Sequence, residues 1–181
     1  MNAIIASIKS AIIAPVKYSF GDINTIARWQ NYNRSSRYTG DLKDVADHFP
    51  DFRTTDVKYL FRYLDLPDSY MEKLENDALQ GGLESWTKSL ETAQEFAKLS
   101  AKANGESKGN RIILKVSVDE LQVLLDLDSM HRDPDFKTAI KYYENQGKEF
   151  DPGLGFKSNQ QEVIAKSTIL ARKHIIERLN S

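Results

Sequence analysis

The 181-residue chain contains no cysteine, which excludes a disulfide framework, a thiolate nucleophile and a cysteine-based zinc site together. Its three histidines, His48, His131 and His174, show no metal-ligand spacing, so no catalytic metal is expected. Neither sign of charge is in excess: 25 Lys and Arg stand against 26 Asp and Glu, for a formal net charge of −1. That balance supplies no global attraction to nucleic acid or to an acidic membrane, so any anion has to be met by local groups. A run long enough to span a bilayer is also missing. The opening stretch MNAIIASIKSAIIAPVKYSF has no basic start and is interrupted by Lys9, so it reads neither as a secretion signal nor as a span.

What is present fits one domain, residues 1–181, long enough to bury roughly 70% of the surface that its unfolded chain would expose. Residues 1–50 read as helical. Ile4, Ile5, Ile8, Ala11 and Ile12 recur at helical spacing up to Pro15 and predict a helix packed on the domain, with reversible docking to a membrane or partner as the alternative. A second helix is expected after Asp22, carrying Ile23, Ile26 and Ala27, and a third from Asp41, carrying Leu42, Val45, Ala46 and Phe49. Between them the polar and aromatic stretch 31–38 reads as a loop. Its Arg34, Arg37 and Tyr38 are either solvated or in contact with a phosphate or an adenine ring.

From residue 57 the pattern changes. Val57 to Leu64 predicts a strand, and Arg62 near its end stands out, because a charge on an apolar strand needs a partner or an outlet to solvent. A planar guanidinium on a rigid strand can grip a diphosphate or carboxylate with two parallel hydrogen bonds. Ser69 with Glu72 has capping-box spacing and predicts a helix that runs to Gly81-Gly82. Thr92 with Glu95 has the same spacing and predicts a helix that starts at Thr92. The strand-like piece before Thr92 would point Thr87 and Ser89 to one side beside a helix N-terminus, which reads either as an ordinary strand–turn–helix junction or as a place for a polar or anionic ligand.

Ile112, Leu114, Val116 and Val118 alternate as in a half-buried strand, 121–127 makes another, and 135–146 predicts a helix ending at Gly147. A loop with two glycines and a proline precedes Gln160-Gln161-Glu162, from which an apolar strand runs on. One or two further strands reach Leu179, with Lys166, Arg172, Lys173 and Arg178 on a wet face. The carboxyl at the start of an apolar strand, Glu162, is a functional candidate.

In order along the chain stand an arginine in a first strand, hydroxyls before a capped helix carrying Phe96-Ala97, and Gln-x-Glu opening a late strand. Together they resemble the arginine–serine–glutamate class of mono-ADP-ribosyltransferases, which includes bacterial toxins and phage-encoded enzymes that modify host proteins. The resemblance covers 57–181. It aligns Arg62 with the family's arginine, Thr87-Lys88-Ser89 with its Ser-Thr-Ser motif, and Gln160-Gln161-Glu162 with its Glu-x-Glu or Gln-x-Glu signature. Tyr63 stands where many members have glycine, Thr87 replaces the motif's first serine, Lys88 charges its middle, and 128–148 reads as an insertion.

The resemblance implies an α+β fold of two small, mostly antiparallel sheets around an NAD cleft, with N-terminal helices outside. It implies NAD as co-substrate, no metal, and transfer of ADP-ribose to a macromolecular acceptor, a host protein before a nucleic acid. Glu162 would be the catalytic carboxylate, with Arg62, Ser89 and Gln160 in the catalytic set; Arg62, Thr87 and Ser89 would bind NAD with it, Ser89 orienting Glu162 or the nicotinamide ribose, and Gln160 and Phe156 would address the target. Glutamine rather than glutamate at 160 implies an acceptor other than arginine, either an amide side chain or a guanine base in DNA. The expected location is the cytoplasm of the producing or host cell, without stable membrane association. Two alternatives remain: a binding module that keeps such a fold without turnover, and a nucleic-acid-binding domain that uses Arg34, Arg37 and the basic C-terminal strand face.

Overall fold

A computed structural model of the chain describes residues 17–31, 39–104, 109–151 and 160–179. The opening helix, the loop carrying Arg34, Arg37 and Tyr38, and Phe156 fall outside the described residues.

The first two described helices, α1 (Phe20–Asn31) and α2 (Thr39–His48), are the expected pair. Ser19 starts α1: its Oγ accepts from the Asp22 N–H while Asp22 Oδ2 accepts from the Ser19 N–H, so two orphan donors of the first turn are satisfied reciprocally. Ile23, Ile26 and Trp29 on α1 and Leu42, Val45 and Ala46 on α2 are buried in one cluster.

Strand β1 (Tyr59–Leu66) lies two residues later than its pattern indicates. Helix α3 (Asp68–Glu75) follows Pro67, and no side chain caps it, so the Ser69 box does not form. It also stops well short of Gly81-Gly82: Asp77 takes a left-handed φ of 55°, and β2 (Leu79–Gln80) begins. Strand β3 (Leu83–Thr87) leads into α4 (Leu90–Asn104). Here Ser89 caps the helix, its Oγ accepting from the Thr92 N–H at 3.1 Å, so Thr92 is the third helical residue and not the cap.

Beyond α4 come β4 (Asn110–Ser117) and β5 (Leu121–Asp126), close to their alternation patterns. The next segment holds two helices where one is expected, α5 (Leu127–Arg132) and α6 (Pro134–Asn145). Met130, Phe136 and Ala139 from these helices share the buried cluster of α1 and α2. The segment 128–148 is therefore part of the wall over the sheet and not an appendage to it. Strands β6 (Glu162–Ser167), β7 (Ile169–Leu170) and β8 (Ile175–Leu179) complete the described chain.

All strand pairs are antiparallel, in a six-stranded sheet ordered β5-β6-β3-β1-β4-β8 and a two-stranded sheet β2-β7. Helices and two antiparallel sheets make the fold α+β, as expected; the sheets are unequal, and the larger one is continuous across six strands. It is nevertheless weakly joined in the middle. β1 pairs with β4 from Tyr59↔Ser117 to Leu66↔Asn110 and β3 with β6 from Leu83↔Lys166 to Thr87↔Glu162, but β1 meets β3 only at Phe61↔Thr87. Strand alternation puts Ser85, Thr87, Glu162 and Ile164 on the face under α1 and sends Trp86 and Val163 to the opposite core with Leu60, Met71 and Leu74. No described helix is long and apolar enough to cross a membrane, and no group of metal-ligating side chains occurs among the described residues.

Lys88 locks the end of β3. The ammonium of its side chain, which is 6% exposed, lies 2.9 Å from Asp126, 3.1 Å from Asp128 and 2.6 Å from Asp56, while its backbone N–H donates to the Gln161 carbonyl at 3.1 Å. Burial pulls the ammonium pKa down, but hydrogen bonds and charge from these aspartates outweigh it and hold the group above the ordinary lysine value of 10.5. The hydrogen bond from Lys88 in turn holds Asp56 below 3.8. A raised lysine pKa stabilises the fold fully below pH 10.5, and the contribution is lost as pH climbs through the folded value. A lowered aspartate pKa stabilises it above pH 3.8, and the contribution is lost as pH falls through the folded value. Removing the cation strands Asp126 inside the protein, so Lys88→Met should lose about 3–5 kcal/mol in urea unfolding at neutral pH. A loss below about 1 kcal/mol would reduce the cluster to surface pairing.

Candidate functional site

A cleft of about 330 Å³ opens where the sheet is weakly joined. Gln30 from α1 and Phe96 and Ser100 from α4 line it together with Phe61, Arg62 and Tyr63 of β1. Ser85, Trp86 and Thr87 of β3 complete the wall with Gln160 and Glu162. Aromatic and polar side chains share this lining, which suits a ligand with a flat ring and hydroxyl or phosphate groups.

Glu162 sits at the inner wall, 4% exposed. Opening β6 directly across from Thr87, it lies diagonal to Ser85 on the same sheet face. One carboxyl oxygen, Oε1, accepts a short hydrogen bond from Ser85 Oγ, and the other, Oε2, accepts from Gln30 Nε2 at 2.7 Å. Ser85 Oγ also accepts from Trp29 Nε1 at 3.3 Å. A buried carboxyl is costly without partners, and here each oxygen has one.

Thr87 Oγ1 donates to the Gln160 carbonyl at 2.8 Å and accepts from the Ser89 N–H at 3.2 Å, tying the residues before β6 to the end of β3. Gln161 makes this approach with a left-handed φ of 47°. Arg62 projects from β1 toward β3, where Nη1 donates to the Ser85 carbonyl at 3.0 Å, Nη2 lies 3.5 Å from Glu84, and the guanidinium sits over the Trp86 ring. This anchoring replaces the ladder bonds that β1 and β3 lack.

Arg62, Thr87, Gln160 and Glu162, expected to act together from positions 100 residues apart, therefore meet in one cleft. Ser89 does not join them. It lies past the end of β3, with Oγ occupied by the helix cap and by donation to Glu91 at 2.8 Å. The hydroxyl that faces Glu162 is Ser85, so the hydroxyl pair of the strand is Ser85 and Thr87, two residues earlier than the spacing had placed it. Lys88 points its charge into the aspartate cluster and not into the cleft. Alternation on β3 identifies Ser85 once the strand end is known, whereas nothing in the local sequence marks Gln30, 132 residues before its partner.

The two serines are separable by experiment. Ser89→Ala should cost about 1 kcal/mol of stability in urea, the usual value of a helix cap. It should leave the side-chain ¹³C resonance of Glu162 unmoved. Ser85→Ala should shift that resonance and cost about 1–3 kcal/mol, because it leaves a buried oxygen without its donor. The reverse pattern would return Ser89 to the site.

No family model, no characterised protein sequence and no solved structure matches the chain.

Proposed function

We propose that the protein transfers ADP-ribose from NAD to a macromolecular acceptor, releasing nicotinamide, through an ADP-ribosyltransferase-like arrangement of the cleft. One observation carries the reading. Arginine, hydroxyl pair and Gln-x-Glu, separate in sequence, converge on one cleft in which the glutamate is buried and held on both oxygens. The sheet, divided into two three-stranded halves around that cleft, is compatible with such a fold.

The cleft residues fit the co-substrate chemically. Its volume of about 330 Å³ suits one nucleoside-sized group at the wall, since small-molecule sites begin at about 300 Å³. Phe61, Tyr63 and Phe96 offer apolar surface to a flat ring, and Arg62 offers a cation to phosphate or ribose oxygens.

NAD would supply the ADP-ribosyl group and the nicotinamide leaving group. The glycosidic C–N bond breaks with its electron pair leaving on nicotinamide. The acceptor heteroatom then bonds to the same ribose carbon and loses its proton to solvent. Positive charge that develops on the ribose is stabilised by Glu162, whose preorganised carboxylate favours the transition state over the ground state. Ser85 takes the orienting role expected of Ser89. Thr87 fixes the backbone at Gln160, and the amide of Gln160, a lining residue of the cleft, would meet the acceptor by neutral hydrogen bonding, which suits another amide or a base edge better than a guanidinium. With Lys88 turned away into its aspartates, its charge leaves turnover unopposed.

Glu162→Gln should retain the fold and NAD affinity while lowering nicotinamide release by roughly 10²-fold or more, the effect of one lost electrostatic group. Near-full activity would remove Glu162 from the mechanism. Gln160→Ala should spare NAD hydrolysis and abolish labelling of targets in a lysate supplied with labelled NAD. Mass spectrometry of the labelled product should find the adduct on an amide side chain or a base. An arginine adduct would overturn the assignment of Gln160 alone.

A further inference from the structure

The second oxygen of Glu162 is held from the helical layer and not from the sheet. Gln30 Nε2 on α1 donates to Oε2 at 2.7 Å, and this is the one hydrogen bond that the Gln30 side chain makes among the described residues. Its own carbonyl, Oε1, is buried with no partner among them. A buried acceptor left without a donor opposes folding. An apolar side chain of the same length would avoid that penalty but would leave Oε2 of Glu162 without this donor, so the glutamine is tied to the carboxyl and not to its own packing.

The neighbouring residue shows how firmly α1 is set. Trp29 is fully buried, and its Nε1 bonds Ser85 Oγ, which itself donates to Oε1 of Glu162. Two consecutive residues of α1 thus reach the two oxygens of one carboxyl, Gln30 directly and Trp29 through Ser85. The last torsion of a glutamate is broad and nearly two-fold, so a carboxyl held on one oxygen still swings. A donor on each oxygen removes that freedom.

We infer that Gln30 is a positioning residue for Glu162: its amide fixes the carboxyl plane that faces the cleft, and α1 is thereby part of the active-site framework as well as a cover for the sheet. The inference rests on the proposed role of Glu162, where small displacements of a reacting group are expensive in rate.

The test uses the full chain and the near-isosteric Gln30→Met, which keeps the volume and removes the donor. The variant should melt a few degrees below wild type, as the loss of one hydrogen bond to a buried carboxyl oxygen requires, and keep KM for NAD within about twofold. Its kcat for nicotinamide release should fall roughly 10- to 100-fold. The Glu162 side-chain methylenes should also lose order in ¹³C relaxation. A kcat within about twofold of wild type would overturn the inference and leave the proposed function standing. A melting point lowered by more than about 12 °C, beyond what one lost hydrogen bond explains in a chain of this size, would overturn it too, by making Gln30 structural. If wild type releases no nicotinamide, the proposed function falls, and relaxation alone decides the positioning: reduced order at Glu162 in Gln30→Met supports it, and unchanged order overturns it.

Discussion

Burial of the Glu162 carboxyl is the constraint that organises the centre of this protein. A carboxyl withdrawn from water costs several kcal/mol unless its oxygens are bonded, and the donors that satisfy it come from parts of the chain remote from one another. Ser85 arrives because β3 pairs with β6 in a register that sets Thr87 opposite Glu162. Gln30 arrives because α1 packs Trp29, Ile26 and Ile23 against the same sheet face. A shift of one residue in the β3–β6 register would turn Ser85 and Thr87 into the core occupied by Trp86 and Val163, and would leave Glu162 without its sheet partner. The register is thus a condition for the site as much as for the sheet.

The end of β3 carries a second demand. Lys88 follows Thr87 immediately, and its nearly covered side chain is compensated by Asp126 at the end of β5 and by Asp56 and Asp128 beside it. Asp126 also caps α5 through the Ser129 N–H, at 3.0 Å. The cluster therefore joins β3, β5, the residues before β6 and the start of α5. It holds the rim of the cleft from outside while the carboxyl network holds it from within, so the contribution of the lysine is structural.

Between β1 and β3 the sheet is nearly open, and the cleft occupies that opening. One ladder position, Phe61↔Thr87, is supplemented by the Arg62 side chain bonding the Ser85 carbonyl. Edge-to-edge hydrogen bonding is given up where two halves of a sheet diverge, and side chains of both strands gain access to the gap. An arginine there can serve as strand tie and as cation for a ligand, because a planar fork of donors binds carbonyl and phosphate oxygens alike.

By itself the sequence determined the element types and most of their places. Helical spacing around Ile23 and Leu42, the alternation from Ile112 to Val116 and the apolar run after Glu162 all correspond to observed elements, because periodic burial is a local property of the chain. It also singled out Arg62, Thr87, Gln160 and Glu162. Tertiary structure alone decided where elements end and which groups meet. Thr92 and Ser89 both had the residue type for a cap, and only the path of the chain out of β3 made Ser89 the one used, which removed it from the site and put Ser85 in its place. The helix expected up to Gly81 ended at Glu75 because β2 finds its partner in β7, some ninety residues away. The segment 128–148 became core because its apolar face meets α1 and α2. Gln30 had no local mark at all: an amide on a helix acquires meaning only when packing sets it against a buried carboxyl, and that pairing spans most of the chain.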